Sequence, residues 1–236
     1  MEPPGDVMGY DRAITLFNPD GRILQVEYAK RTVSQGFAAV GLTGKDCVVF
    51  VADRKAHELE KLVIPESIEK VFQIDLHIGA AISGMIADGR MLIDKAQNNA
   101  QEYKMTYNQP ADVLLIVKGI SAEMQALTQY GGARPFGVSI LFGGVKAGKS
   151  YIYMLDPSGT FFQYKAIAIG GNSEAINKNL EKEYKQDMTS EDLINLGMKT
   201  IKSDEGKSSP ERFEVAVIDK DGFHKLSKEE ITKYIK

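Results

Sequence analysis

Apolar positions along the chain follow two rhythms. From residue 37 to 83 they come as short runs, FAAVGL, CVVFVADRK, KVFQID and HIGAAIS, broken by turn residues such as TGKD, and such runs predict four β-strands. Residues Arg22 to Ser34 read differently. Ile23, Val26, Ala29 and Val33 recur on one face at near-helical spacing while Gln25, Lys30 and Arg31 fall elsewhere, which predicts an amphipathic helix stopping at Gly36. Just before it, Asn18-Pro19-Asp20-Gly21 suits a type I turn.

Helical periodicity returns over Met85 to Met105 and Pro110 to Gln129, the second helix with Pro110 at its first position. FGVSILFGG, SYIYMLDP, TFFQYKA and AIAIGG then predict four more strands, followed by helices over Ser173 to Gln186 and Ser190 to Lys202. FEVAVID and FHKL flank the turn Lys220-Asp221-Gly222, and Ser227 with Glu230 makes a capping box for the last helix, EEITKYI. Strands in runs and helices in pairs favour two mainly antiparallel sheets with helices outside, a four-layer α/β/β/α sandwich of the α+β class, over a parallel βαβ sheet.

A chain of 236 residues can bury the core of one large domain, and nothing in its composition divides it. Residues 1–13 carry Pro3, Pro4, Gly5 and Gly9 and too little apolar material to pack alone, so they are expected to form a mobile tail before a single domain over 14–236. With 29 Lys and Arg against 32 Asp and Glu, the chain has no basic footprint for nucleic acid or an anionic membrane. Cys47 is the single cysteine, and the N-terminus lacks both the basic and the apolar region of a signal peptide, so a cytoplasmic protein is expected. His57, His77 and His224 are scattered without ligand spacing, and no metal or other cofactor is expected.

GGVKAGKS, Gly143 to Ser150, satisfies the phosphate-loop pattern GxxxxGK[S/T]. That loop needs a helix starting at its Lys-Ser pair, and SYIYMLDP follows instead, so the stretch predicts a hairpin connection. In GGNSEAI, Gly170 to Ile176, Asn172 or Ser173 is expected as an ordinary helix cap. Asp53, Arg54 and Lys55 read as a solvated strand end, HELEK (57–61) as an exposed loop, and Met85, Met91 and Met105 as core filler.

GYDRAITLFNPDGRILQVEYA, Gly9 to Ala29, resembles the signature of 20S proteasome α-type subunits, most like the archaeal ones in general pattern. SIEKVFQID, SGMIADGR and TQYGGARPFG extend the resemblance over essentially the whole chain. It implies the N-terminal nucleophile hydrolase fold, a four-layer sandwich, with an N-terminal helix over about 22–35. Catalytic β-type members start their first strand with a processed threonine; here Gly36 and Phe37 stand in the corresponding place. A nucleophile of that kind needs a hydroxyl and a base, and phenylalanine has neither. Asp53 and Lys70 match the β-type acid and lysine. The expectation is therefore a non-catalytic subunit. An active hydrolase of the same fold, a phosphate-loop nucleotide-binding protein, and a self-assembling ring without a protease partner are the alternatives.

The same resemblance implies a homo-oligomeric, seven-membered α ring on β subunits, with the tail gating the axial pore to unfolded protein substrates. Tyr10, Asp11, Arg12, Pro19 and Tyr28 match gate positions; Pro19 could instead merely make the turn and Tyr28 merely pack. Glu27, Lys70, Gly84 and Met85 match the pocket that receives the C-terminal tails of ATPase activators, Lys70 pairing with the incoming carboxylate. Tyr130 and Gly131, in TQYGGARPFG, match the pore constriction; without the resemblance that stretch is a turn between helix and strand.

Overall fold

The computed structural model describes residues 15–54, 62–64, 67–202 and 209–235. The apolar runs form two five-stranded sheets in which every neighbouring pair is antiparallel. One sheet orders β10 (Gly222–Lys225), β9 (Phe213–Asp219), β2 (Val48–Asp53), β1 (Ala39–Thr43) and β8 (Ala166–Ile169). The other orders β3 (Val71–Asp75), β4 (Ile78–Gly84), β5 (Val138–Lys146), β6 (Lys149–Leu155) and β7 (Phe161–Tyr164). Strands β1 and β2 are buried at every residue, so they read as continuous apolar runs, not as an alternation.

Three apolar clusters separate four layers. Leu92, Ile93, Ile116, Ile120 and Phe142 join α2 (Ile86–Tyr107) and α3 (Val113–Leu127) to the second sheet. Phe50, Val71, Leu141, Ile152 and Ile218 fill the space between the sheets. Leu42, Val51, Leu193, Ile194 and Val215 lie under α4 (Ser173–Glu183) and α5 (Ser190–Ile201), with α6 (Lys228–Thr232) adding Ile231. The four-layer α/β/β/α sandwich and the order of its elements are those the sequence predicts.

Helix α1 (Leu24–Gln35) buries Val26, Ala29 and Val33 and packs on β4 and β5, outside the paired helical layers. The two valines contribute on the order of 1.5 kcal/mol each, and Lys30 adds an ion pair to Asp156 at 3.5 Å.

Several local expectations are corrected. Pro110 precedes α3, which starts at Val113; Asp112 caps it, accepting the Leu114 amide at 3.0 Å. Asn172 occupies the cap position of α4 but is left-handed (φ 56°), and its side chain makes no cap bond. TFFQYKA and AIAIGG form the strands expected of them, and they belong to different sheets, a point the sequence left open: the chain crosses between the sheets at Lys165, whose carbonyl accepts both the amide and the hydroxyl of Thr43 at 2.8 Å. Met85, Met91 and Met105 are exposed, not core: the buried stripe of α2 runs through Gly89, Ile93, Ala96 and Ala100, and these methionines fall off it.

Candidate functional site

The chain runs without a break from α1 through Gly36, Phe37 and Ala38 into β1. Gly36 ends the helix in an extended conformation, so its role is close approach: a Cβ there would sit 2.5 Å from the Gly84 amide nitrogen. The Phe37 carbonyl accepts from Lys70 Nζ at 2.5 Å and from the Ser83 hydroxyl at 2.8 Å. Lys70 Nζ also donates to the carbonyls of Asp53 at 3.1 Å and Ala38 at 3.3 Å. Lys70 is 2% exposed, and burial pulls its amine down to about 7 while Asp53 and Glu214 pull it up.

Asp53 is buried as well, which overturns its reading as a solvated strand end. Its carboxylate takes the Arg212 guanidinium at 2.8 and 3.1 Å. Glu214, on the neighbouring strand β9, is 2% exposed. It accepts the Lys70 amide at 2.8 Å and Lys225 Nζ at 2.7 Å, and Arg54 lies 3.3 Å from it. The charges of this corner are therefore paired, amine to carbonyls and carboxylates to guanidinium, ammonium and amides, as buried charge requires. A cavity of about 280 Å³ borders it, lined in part by Gln35, Phe37, Ala38, Asp53 and Arg212.

Sequence reasoning missed Arg212, Glu214 and Ser83 at this corner. Glu214 did leave a signal, a carboxylate inside the apolar run FEVAVID. Arg212 left none, since it lies 159 residues from Asp53.

Of the other positions singled out, Pro19 sits in a tight turn in which the Gly21 amide donates to the Asn18 carbonyl at 2.9 Å. Glu27 and Tyr28 lie on α1, Tyr28 38% exposed with Arg31 at 5.9 Å from its ring. Gly84 is left-handed (φ 112°), and a Cβ on it would meet the Gly137 carbonyl at 2.3 Å, so only glycine fits. Met85 follows, its amide donating to the same carbonyl at 2.8 Å. A Cβ on Gly137 would in turn touch Thr32 of α1 at 3.3 Å and Met85 at 3.6 Å. The fold thus brings α1, the β4–α2 junction and the end of the 128–137 stretch together. Tyr130 is 65% exposed at the far side of that stretch, and an added Cβ at Gly131 would meet nothing within 4 Å. Tyr10, Asp11 and Arg12, like Lys55 and HELEK, lie outside the described residues.

Gly143 to Ser150 is a β-hairpin. Ala147 and Gly148, both with positive φ, form its two-residue turn, with Lys146 paired to Lys149. No helix begins there to offer a phosphate its amides. Among the described residues no cluster of His, Cys, Asp and Glu could hold a metal, and no helix is long and apolar enough to cross a membrane.

A helix-flanked sandwich of two antiparallel sheets, with a buried lysine and acid beside the head of its first strand, places the chain in the N-terminal nucleophile hydrolase class. Within that class the chain belongs to the proteasome subunit family. Residues 33–218 match the family described as proteasome subunit, and residues 10–31 match the N-terminal signature of proteasome subunits of the A type. The chain is 45% identical to the proteasome alpha subunit of Methanosarcina acetivorans over 231 residues, covering 97% of this chain and 93% of that one. It is 47% identical to the proteasome alpha subunit of Pyrococcus abyssi over 230 residues, 96% of this chain and 87% of the relative. For the proteasome alpha subunit of Methanopyrus kandleri the identity is 44% over 224 residues, 94% and 90% of the two chains.

Proposed function

We propose that this chain, a proteasome subunit of the α type, is a non-catalytic, ring-forming component of a 20S core particle in the cytoplasm. It builds a seven-membered outer ring on rings of β subunits, which carry the active sites, and governs the passage of unfolded polypeptides into the particle. The observation that carries this reading is Phe37. It stands within unbroken chain at the head of the first strand, its carbonyl held by Lys70 and Ser83, where a hydrolase of this fold needs a free terminus and a hydroxyl.

In this reading the tail, residues 1–13, closes the pore, and Tyr10, Asp11, Arg12, Pro19 and Tyr28 hold it open across subunits. The exposure of Tyr28 on α1 leaves its ring available to a neighbour. Glu27, Lys70, Gly84 and Met85 receive the C-terminal tails of ATPase activators, and Tyr130 and Gly131 line the constriction below the gate. A tail carboxylate bound at Lys70 competes with the carbonyls of Phe37, Ala38 and Asp53 for the ammonium.

The test is negative-stain imaging of the purified chain with and without its β partner, together with tripeptide hydrolysis and mass spectrometry of the assembled chain. Rings that are inert until the β partner is added are expected. Hydrolysis by the chain alone, or a chain beginning at Phe37, overturns the reading. For docking, Lys70→Ala is expected to abolish activator-stimulated hydrolysis while sparing unstimulated hydrolysis of small peptides; undiminished stimulation overturns that assignment.

A further inference from the structure

A second polar cluster, half open to solvent at Arg134, stands at the foot of the 128–137 stretch. Asp88 lies in the first turn of α2 and is buried, although it is a carboxylate. Its Oδ1 accepts from Arg134 Nη2 at 2.7 Å, and its Oδ2 accepts from Arg134 Nη1 at 2.6 Å and from the Gly137 amide at 2.8 Å. Arg134 Nη1 donates also to the Pro135 carbonyl at 3.0 Å, and Nη2 lies 3.2 Å from Met85 Sδ. The Met85 amide closes the circuit on the Gly137 carbonyl at 2.8 Å. Burial alone would raise the Asp88 carboxyl; the Arg134 fork and the Gly137 amide outweigh it and hold the group below the usual carboxylate range.

A two-armed guanidinium–carboxylate contact fixes direction as well as distance. Here it ties residues 134 and 137 to one helical turn. On the other side the Tyr130 amide donates to the Ala126 carbonyl of α3 at 3.2 Å, while the Tyr130 side chain is exposed and an added Cβ at Gly131 would meet nothing within 4 Å. The stretch is thus held at both ends, by α3 and by the Asp88–Arg134 clamp, and open at its apex. An apex built on a foot so constrained has a fixed reach.

We propose that Asp88 and Arg134 are positioning residues that fix how far Tyr130 and Gly131 project, and thereby set the largest cross-section of polypeptide the ring admits. This rests on the reading of Tyr130 and Gly131 as the pore constriction. The substrate class it discriminates is a single extended chain from two chain segments passing side by side. Once the gate is open, the clamp sets the size limit.

The experiment uses full-length chain assembled with its β partner. The probe is an unfolded polypeptide carrying one internal disulfide, compared with the same polypeptide reduced, so that the ratio of the two degradation rates cancels any gate effect. Asp88→Asn is expected to raise the disulfide-to-reduced ratio several-fold with tripeptide hydrolysis unchanged, and to speed deuterium exchange at the Gly137 amide roughly tenfold as its charged acceptor is lost. Tyr130→Ala, which shortens the apex itself, is the control. If Tyr130→Ala raises the ratio and Asp88→Asn does not, the clamp inference is overturned and the constriction stands. If neither raises it, the constriction reading falls and the inference with it. Should Asp88→Asn not assemble, Arg134→Lys tests the same point, because it keeps the charge at a half-exposed site but loses the fork; an unchanged ratio there overturns the proposal.

Discussion

Lys70 Nζ and the carbonyl oxygen of Phe37 meet at 2.5 Å, beneath the point where α1 passes into β1. An amine in a hydrolytic site of this kind takes a proton from a nucleophile. Here its donors go to the carbonyls of Phe37, Ala38 and Asp53, so it staples strand ends together.

The buried amine makes folding pH-dependent. Lys70 is lowered to about 7 in the folded chain from an ordinary 10.5, so between those values the unfolded state holds the extra proton. Stability from this group therefore rises with pH across that window, by at most about 1.4 kcal/mol per unit. Urea unfolding of the wild type and of Lys70→Met between pH 7.5 and 9 should give a difference that grows with pH in favour of the wild type; a flat difference contradicts it.

Asp53 and Arg212 are expected to behave as a buried pair. Asp53→Ala leaves the guanidinium buried without its carboxylate and should cost about 3–5 kcal/mol, whereas Asp53→Ala combined with Arg212→Met should recover much of the loss. A double-mutant cycle by urea unfolding measures this, and additive losses would show that the two side chains are not coupled.

Gly36→Ala tests the close approach of α1 to the β4–α2 junction. Its Cβ would lie 2.5 Å from backbone nitrogen at Gly84, which cannot rotate away as a side chain could. A loss of about 1–3 kcal/mol is expected, with a lowered melting temperature as the readout. A neutral result would mean that α1 shifts freely on the sandwich.

Ala147 carries a left-handed backbone (φ 51°) in the hairpin that imitates a phosphate loop. Asparagine adopts that conformation at less cost, and Asn-Gly is the favoured pair for such a turn. Ala147→Asn should stabilise by about 1 kcal/mol, read as a higher melting temperature, and labelled ATP should bind neither form. Loss of stability would mean that the turn is not strained there.

Much of the architecture was legible because it is written locally. Runs such as CVVFVA and KVFQID mark strands by their own composition, and the capping box at Ser227 and Glu230 forms as its spacing predicts. The site was less legible. Lys70 and Asp53 could be singled out by resemblance, but burial and partners depend on what packs above them. A lysine before an apolar strand looks the same in sequence whether it faces water or three carbonyls. The methionines of α2 failed for a related reason, since a few apolar residues near helical spacing do not say which stripe faces the sheet.

By itself the sequence determined the order of elements, the α-type signature at residues 10–31 and the phenylalanine at position 37, because each is a property of contiguous residues. Tertiary structure alone decided that β7 and β8 part into different sheets, and that Arg212 closes on Asp53 and Arg134 on Asp88 across 159 and 46 residues. Periodicity reports which face of an element is apolar. Which distant charge meets which is set only when the layers stack, because a buried charge takes its partner from whatever the neighbouring element presents.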